Sequence, residues 1–212
     1  MADPNRSHDT TGDTPLTEAT REGHIACVEA LLADPRVDLT VETRSGYTAT
    51  MIAARKGSKP LLQLLLADPR VDDVSVNKAV AAGIMHGHVH LLAILLSDER
   101  VDPNNRMNYG WGFWTPLMAA AYFGHISAVA MLLADDRTRP NEYDHQGETA
   151  LIISIHYGRY AVLKEIISRS LMSRIKPSDA RGRAWVLFYN RALRAVKVHS
   201  IMFLRLLQFL LD

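Results

Sequence analysis

The chain has 212 residues, of which 48% are hydrophobic and 22% charged, with a formal net charge of +1. This is ordinary globular composition with enough apolar material for a sizeable core, so long-range disorder and a uniformly basic nucleic-acid binder are disfavoured. A single cysteine, Cys27, excludes an internal disulfide framework and fits a reducing compartment. Residues 1–14 are polar and lack the apolar stretch of a secretory signal. Arg205 interrupts the longest apolar run before it reaches the roughly 18 residues of a spanning helix. The expectation is a soluble intracellular protein, cytoplasmic or nuclear. Charge is uneven: residues 1–170 carry a net −5 and residues 171–212 a net +6.

Residues 1–10 read as a flexible lead-in. Thr14-Pro15 then opens a helix, because a threonine hydroxyl caps an orphan amide and proline suits the first helical position. Gly23 ends that helix by accepting the left-handed conformation. A second helix follows over Ile25–Ala33, with Val28, Leu31 and Leu32 on one side, and Asp34-Pro35 stops it. A stretch of about ten residues leads to the next start.

The same phrases return along the chain. Starts lie at Thr48-Ala49, Thr115-Pro116 and Thr149-Ala150, and turn glycines at Gly57, Gly87, Gly124 and Gly158. The phrase Leu31-Leu32-Ala33-Asp34-Pro35-Arg36-Val37-Asp38 is repeated at residues 65–72, with looser copies at 95–102 and 132–137. Turn glycines are spaced by 34, 30, 37 and 34 residues. The third unit has Lys78-Ala79 instead of Thr-Pro and a loop four residues short, so its loop hairpin is expected to be missing or stunted, with Asn77 capping its first helix. The loop before the fourth unit is three residues longer, through Asn104–Trp114.

Each unit thus reads as helix, tight turn, helix, long loop. A period near 34 also suits tetratricopeptide repeats, but those are pure helix pairs, and the long loop and Thr-Pro start argue against them. Over residues 10–170 the sequence resembles the ankyrin-repeat family, in a variant where Asp-Pro-Arg replaces the usual glycine after the second helix. The resemblance implies an all-α, ankyrin-type solenoid of five repeats, approximately 11–45, 46–75, 76–107, 108–143 and 144–170. The family usually carries a bridging histidine after Thr-Pro-Leu. Thr17, Met51, Ala81, Met118 and Ile152 occupy that position here, so the bridging network is absent. Residues 171–212 carry no repeat phrase. They read as two helices, 178–196 and 197–211, forming an enlarged C-terminal pair that caps the array.

No catalytic or cofactor spacing is present: there is no phosphate-cradling glycine loop, no Gly-x-Ser-x-Gly, no His-Glu-x-x-His and no cysteine pair. The chain therefore reads as a non-enzyme that needs no cofactor. His86, His88 and His90 could in principle supply metal ligands, but His88 repeats the Gly-His position of His24 and His125, and Gly87 breaks the helix between them, so no metal site is expected. Cys27 reads as a structural residue on the apolar side or edge of its helix.

What remains is binding. The resemblance implies a partner protein held on a concave surface built from first-helix ends and loop tips. The pairs before the turn glycines should point there: Arg21-Glu22, Arg55-Lys56, Met85-His86, Tyr122-Phe123 and His156-Tyr157, running from charged to aromatic. The fourth loop adds Tyr109, Trp111, Phe113 and Trp114. Phe113 and Trp114, and equally Tyr122, Phe123 and Tyr157, are candidates for packing on the neighbouring repeat instead, whereas Trp111 between two glycines is expected to be exposed. Large aromatics and arginine dominate interface energies. The expected role is a monomeric adaptor, scaffold or inhibitor. Two alternatives stand beside it. Arg174, Lys176, Arg181, Arg183, Arg191, Arg194 and Lys197 could bind an anionic membrane surface or nucleic acid. The array could also be a viral or bacterial effector that engages a host protein.

Overall fold

In the computed structural model, residues 3–108 and 113–174 are described. They form five successive helix pairs: α1 (Pro15–Glu22) with α2 (Ile25–Leu32), α3 (Ala49–Lys56) with α4 (Lys59–Leu66), α5 (Asp73–Met85) with a 3-10 turn (Val89–Leu91) running into α6 (Leu92–Leu96), α7 (Pro116–Phe123) with α8 (Ile126–Ala134), and α9 (Ala150–His156) with α10 (Tyr160–Arg174). The expected solenoid is present. First helices pack on first helices along the row α1, α3, α5, α7 and α9, while α2 meets α4, α6 meets α8 and α8 meets α10. The expected capping helices, and Tyr109 and Trp111, lie outside the described residues.

Local chemistry sets each start. The hydroxyls of Thr14, Thr48, Thr115 and Thr149 accept from the backbone N–H three residues on, at 3.3–3.4 Å. The residue in the family's histidine position closes the cap reciprocally in two units: the amide of Thr14 donates to Thr17 Oγ1 and that of Thr115 to Met118 Sδ. First helices are alanine-rich and close together, with Ala53, Ala54, Ala79, Ala119, Ala120 and Ala121 buried. Second helices contribute leucines such as Leu61, Leu62, Leu65, Leu91, Leu95 and Leu132. Each buried leucine is worth about 1.5–3 kcal/mol.

The third unit departs from its neighbours where its sequence indicated, and its first helix also begins elsewhere. Its loop tip is gone, and α5 starts early and runs 13 residues from Asp72, whose carboxylate accepts from the Ser75 amide at 3.0 Å. Asn77 is therefore not a cap. It lies inside α5, and its amide group donates to Asp73 O and Arg100 O and accepts from the Asp102 N–H. The longer fourth loop holds a short antiparallel hairpin, β1 (Met107–Asn108) with β2 (Phe113–Trp114).

The Asp-x-Arg loops do more than stop a helix. In Arg70, Nε and Nη2 grip the Asp68 carboxylate at 3.0 and 2.6 Å, and the remaining N–H groups donate to Leu32 O, Asp34 O and Val37 O of the preceding unit. Arg100 reaches Leu66 O and Val71 O, and Arg137 reaches Leu96 O and Val101 O, in the same way. Each guanidinium thus satisfies an orphan carbonyl at the last residue of the previous second helix, which intrahelical bonds leave open, and one or two more in the loop that follows it. Three asparagines add a second link. Asn5 bonds Arg36 O and Asp38 N, Asn77 bonds Arg100 O and Asp102 N, and Asn104 bonds Arg137 O and Arg139 N. Through Asn5 the lead-in over residues 3–10 is tied to the first unit rather than loose.

Candidate functional site

The pairs before the turn glycines lie along one face of the first-helix row. Gly57 and Gly124 cap α3 and α7 in the left-handed region at φ +72° and +81°. The residue after the next turn glycine reaches back over each. His88 Nε2 donates to Arg55 O at 2.9 Å, and Arg159 Nε donates to Tyr122 O at 2.8 Å. A Cβ on Gly57 would fall 2.6 Å from His88 Nδ1, and one on Gly124 would fall 3.1 Å from Arg159 Cδ. The turns therefore nest into one another, which fixes the spacing of the residues just before them.

Those residues form two chemical zones. At the α3 end, Lys56 is exposed and Arg55 half-buried, its guanidinium 4.9 Å from the centroid of the Tyr47 ring. His86 is exposed beside half-buried Met85. Burial first, then the charges of Arg55 and His88, hold the His86 imidazole below its ordinary value. At the α7–α9 end the aromatics are in mutual contact. The Tyr122 ring centroid lies 5.0 Å from Phe123, 4.5 Å from Tyr157 and 5.1 Å from Trp114. The edge-on pairs of Tyr122 with Phe123 and Tyr157 each add about 0.5–1.5 kcal/mol beyond burial. Tyr122 and Phe123 are half-buried, while Tyr157 is 49% exposed. His156 is exposed, with Nδ1 2.8 Å from Glu148 Oε1.

Trp114 needs correction as a candidate contact. It is 4% exposed, and its indole N–H donates to Asp144 Oδ2 of the next loop at 3.0 Å. It supports Tyr122 from beneath and is not available to a partner. Its neighbour Phe113, on the opposite side of the strand, is 62% exposed. Burial would raise the Asp144 carboxyl, but bonds from the Glu148 amide, the Trp114 indole and the Gln146 amide overrule it and hold the group below the usual carboxylate range.

The histidine run is used structurally. Besides His88, His90 Nε2 donates to Gly57 O at 3.1 Å. Among the described residues no group of three or more His, Cys, Asp or Glu side chains is gathered to hold a metal ion. Cys27 is exposed on α2 rather than turned to an apolar neighbour. The equivalent Leu61, Leu91, Ala128 and Val162 are buried because each has a preceding unit to pack on. Among the described residues no helix is long and apolar enough to cross a membrane.

Tyr47, Arg44 and Arg159 also belong to this surface or its margin and were not singled out as contacts by sequence. Tyr47 and Arg44 sit at a loop tip beside Arg55, and Tyr143 and Tyr160 are exposed large aromatics. Only the position of Tyr47, right after the loop glycine Gly46, carried a usable signal.

A family model described as ankyrin repeats (3 copies) matches residues 1–78 and again residues 78–177. No curated protein matches the chain.

Proposed function

The chain belongs to the ankyrin-repeat family, and on that premise we propose that it is a non-catalytic module holding a partner protein on the concave, first-helix face of its second to fifth units. Ankyrin repeats are generally protein–protein interaction modules and typically not enzymes. The observation that carries the assignment to this face is the aromatic cluster of Tyr122, Phe123 and Tyr157, supported from below by Trp114 and left open to solvent at Tyr157. Aromatic side chains give large contact area, and Tyr157 keeps about half of its surface in solvent at the edge of the cluster. His156 borders the cluster. Arg55, Lys56, Met85 and His86 form the basic to mixed flank.

The test is affinity purification with mass spectrometry, run in parallel with the full chain and its Tyr122→Ala/Tyr157→Ala variant. A direct partner should be lost from the variant, and its affinity should fall by roughly 2 kcal/mol or more. A folded variant that captures the same partners with unchanged affinity overturns the assignment.

A further inference from the structure

We propose that the groove between the loop tips of the first and second units binds a carboxylate side chain, aspartate or glutamate, of the peptide held on the first-helix face, with Arg44 and Arg55 as its ligands. The proposal rests on the interaction-module reading and adds the chemistry of the partner. The groove is about 390 Å³ and is lined by Arg21, Arg44, Arg55, Tyr47, Asp13 and hydroxyls that include Thr11.

Its three guanidiniums are not equivalent. Arg21 is consumed inside the protein, gripping Asp13 with both terminal nitrogens and reaching Glu18 at 2.9 Å. Arg44 donates a single N–H to the Asp9 carbonyl, a neutral acceptor. Arg55 lies against the Tyr47 ring, which occupies the face of the guanidinium and leaves its edge donors unused. Among the described residues neither Arg44 nor Arg55 has a carboxylate in ion-pair reach, although ten carboxylates of the array are paired, Asp13 of this groove among them.

Two uncompensated forks beside a ring of hydroxyls make a receptor for a planar anion, because the guanidinium edge matches a carboxylate in a bidentate way. The Asp13 carboxylate in the same wall is already neutralised by Arg21, so the uncompensated charge of the groove is that of Arg44 and Arg55. Arg55 ends α3 on the same face that carries Tyr122 and Tyr157 further along the row, so one extended peptide with an acid at one end and an apolar group at the other fits both zones.

The experiment is selection of phage-displayed random dodecapeptides on the full chain, followed by binding of the synthetic winners. Peptides carrying aspartate or glutamate are expected. Their affinity should fall about tenfold or more on Arg55→Gln or Arg44→Gln, on raised salt, and on changing the peptide acid to its amide. The Arg55→Gln and acid-to-amide changes should be strongly non-additive. Circular dichroism and melting of both variants check that the fold is intact. Winners with no acid, or ones indifferent to the amide change or to both arginine variants, overturn the groove. So does a phosphoserine peptide that binds more tightly than its glutamate version. Loss of binding on Tyr157→Ala alone would then keep the aromatic face, whereas winners sensitive to Arg55→Gln and insensitive to Tyr122→Ala/Tyr157→Ala would sink the aromatic reading and keep the groove.

Discussion

Replacing Gly57 by alanine separates two roles that a turn glycine plays in this array. The position sits at φ +72°, where an L-residue is strained by about 1–2 kcal/mol. The added methyl would also stand 2.6, 2.8 and 2.9 Å from three atoms of the His88 ring. The ring has to leave, and with it goes the 2.9 Å bond to Arg55 O, worth about 1 kcal/mol. The expected loss is about 2–3 kcal/mol. Gly23→Ala is the internal control: it sits at φ +85° with nothing within 4 Å of the added carbon, so only the strain of about 1–2 kcal/mol applies. Denaturant and thermal unfolding followed by circular dichroism read both. At about 2–4 °C per kcal/mol for a chain of this size, Gly57→Ala should lower the melting midpoint by roughly 4–12 °C and by more than Gly23→Ala. In a His88→Ala background the excess at Gly57 should vanish. Equal losses at Gly23 and Gly57, or an undiminished excess without His88, would refute the nesting of successive turns.

Arg100→Met removes the donor for Leu66 O and Val71 O and leaves Asp98 unpaired, for an expected loss of about 2–3 kcal/mol in denaturant midpoint, whereas Arg36→Met, whose guanidinium touches no preceding unit, should be nearly silent. Trp114→Ala should destabilise by about 3–5 kcal/mol, and Trp114→Phe by about 1–2 kcal/mol through the stranded Asp144, both measurable by unfolding without any partner present. Stability should fall in two steps as pH drops. Burial, reinforced by Arg159, holds His125 below its ordinary 6.5, so the unfolded chain protonates first and stability is lost as pH falls below about 6.5; His125→Gln should flatten this step. The arginine-bonded Asp68, Asp98 and Asp135 lie below their ordinary 3.8, so their contribution is full above about pH 4 and is lost beneath it, a step that Arg→Met changes in the three loops should shrink.

The parts of this fold that could be read from sequence are those decided within a few residues. A threonine cap needs only its own hydroxyl and the amide three residues on, and a turn glycine needs only a missing Cβ, so Thr14, Thr115, Gly23 and Gly124 announce themselves. What was hidden depends on the neighbouring unit. Asp72 and Asn77 were equally able to start α5. Starting at Asp72 buries Val76 and frees the Asn77 amide to clamp the next loop, and nothing within α5 itself records that choice. The aromatics divide for the same reason. Trp114 and Phe113 are adjacent in sequence, but Asp144, thirty residues on, accepts the indole N–H and draws Trp114 into the core while Phe113 stays in solvent. Arg36, Arg70, Arg100 and Arg137 occupy one repeated phrase that reads as a helix stop, and only the last three have a preceding helix end to cap. Those three guanidiniums, with Asn104 reaching Arg137 O and Arg139 N, tie unit to unit through the loops. They account for how the array holds its register although the family's bridging histidine is replaced by Thr17, Met51, Ala81, Met118 and Ile152, none of which spans from one unit to the next in the hydrogen bonds of the described residues.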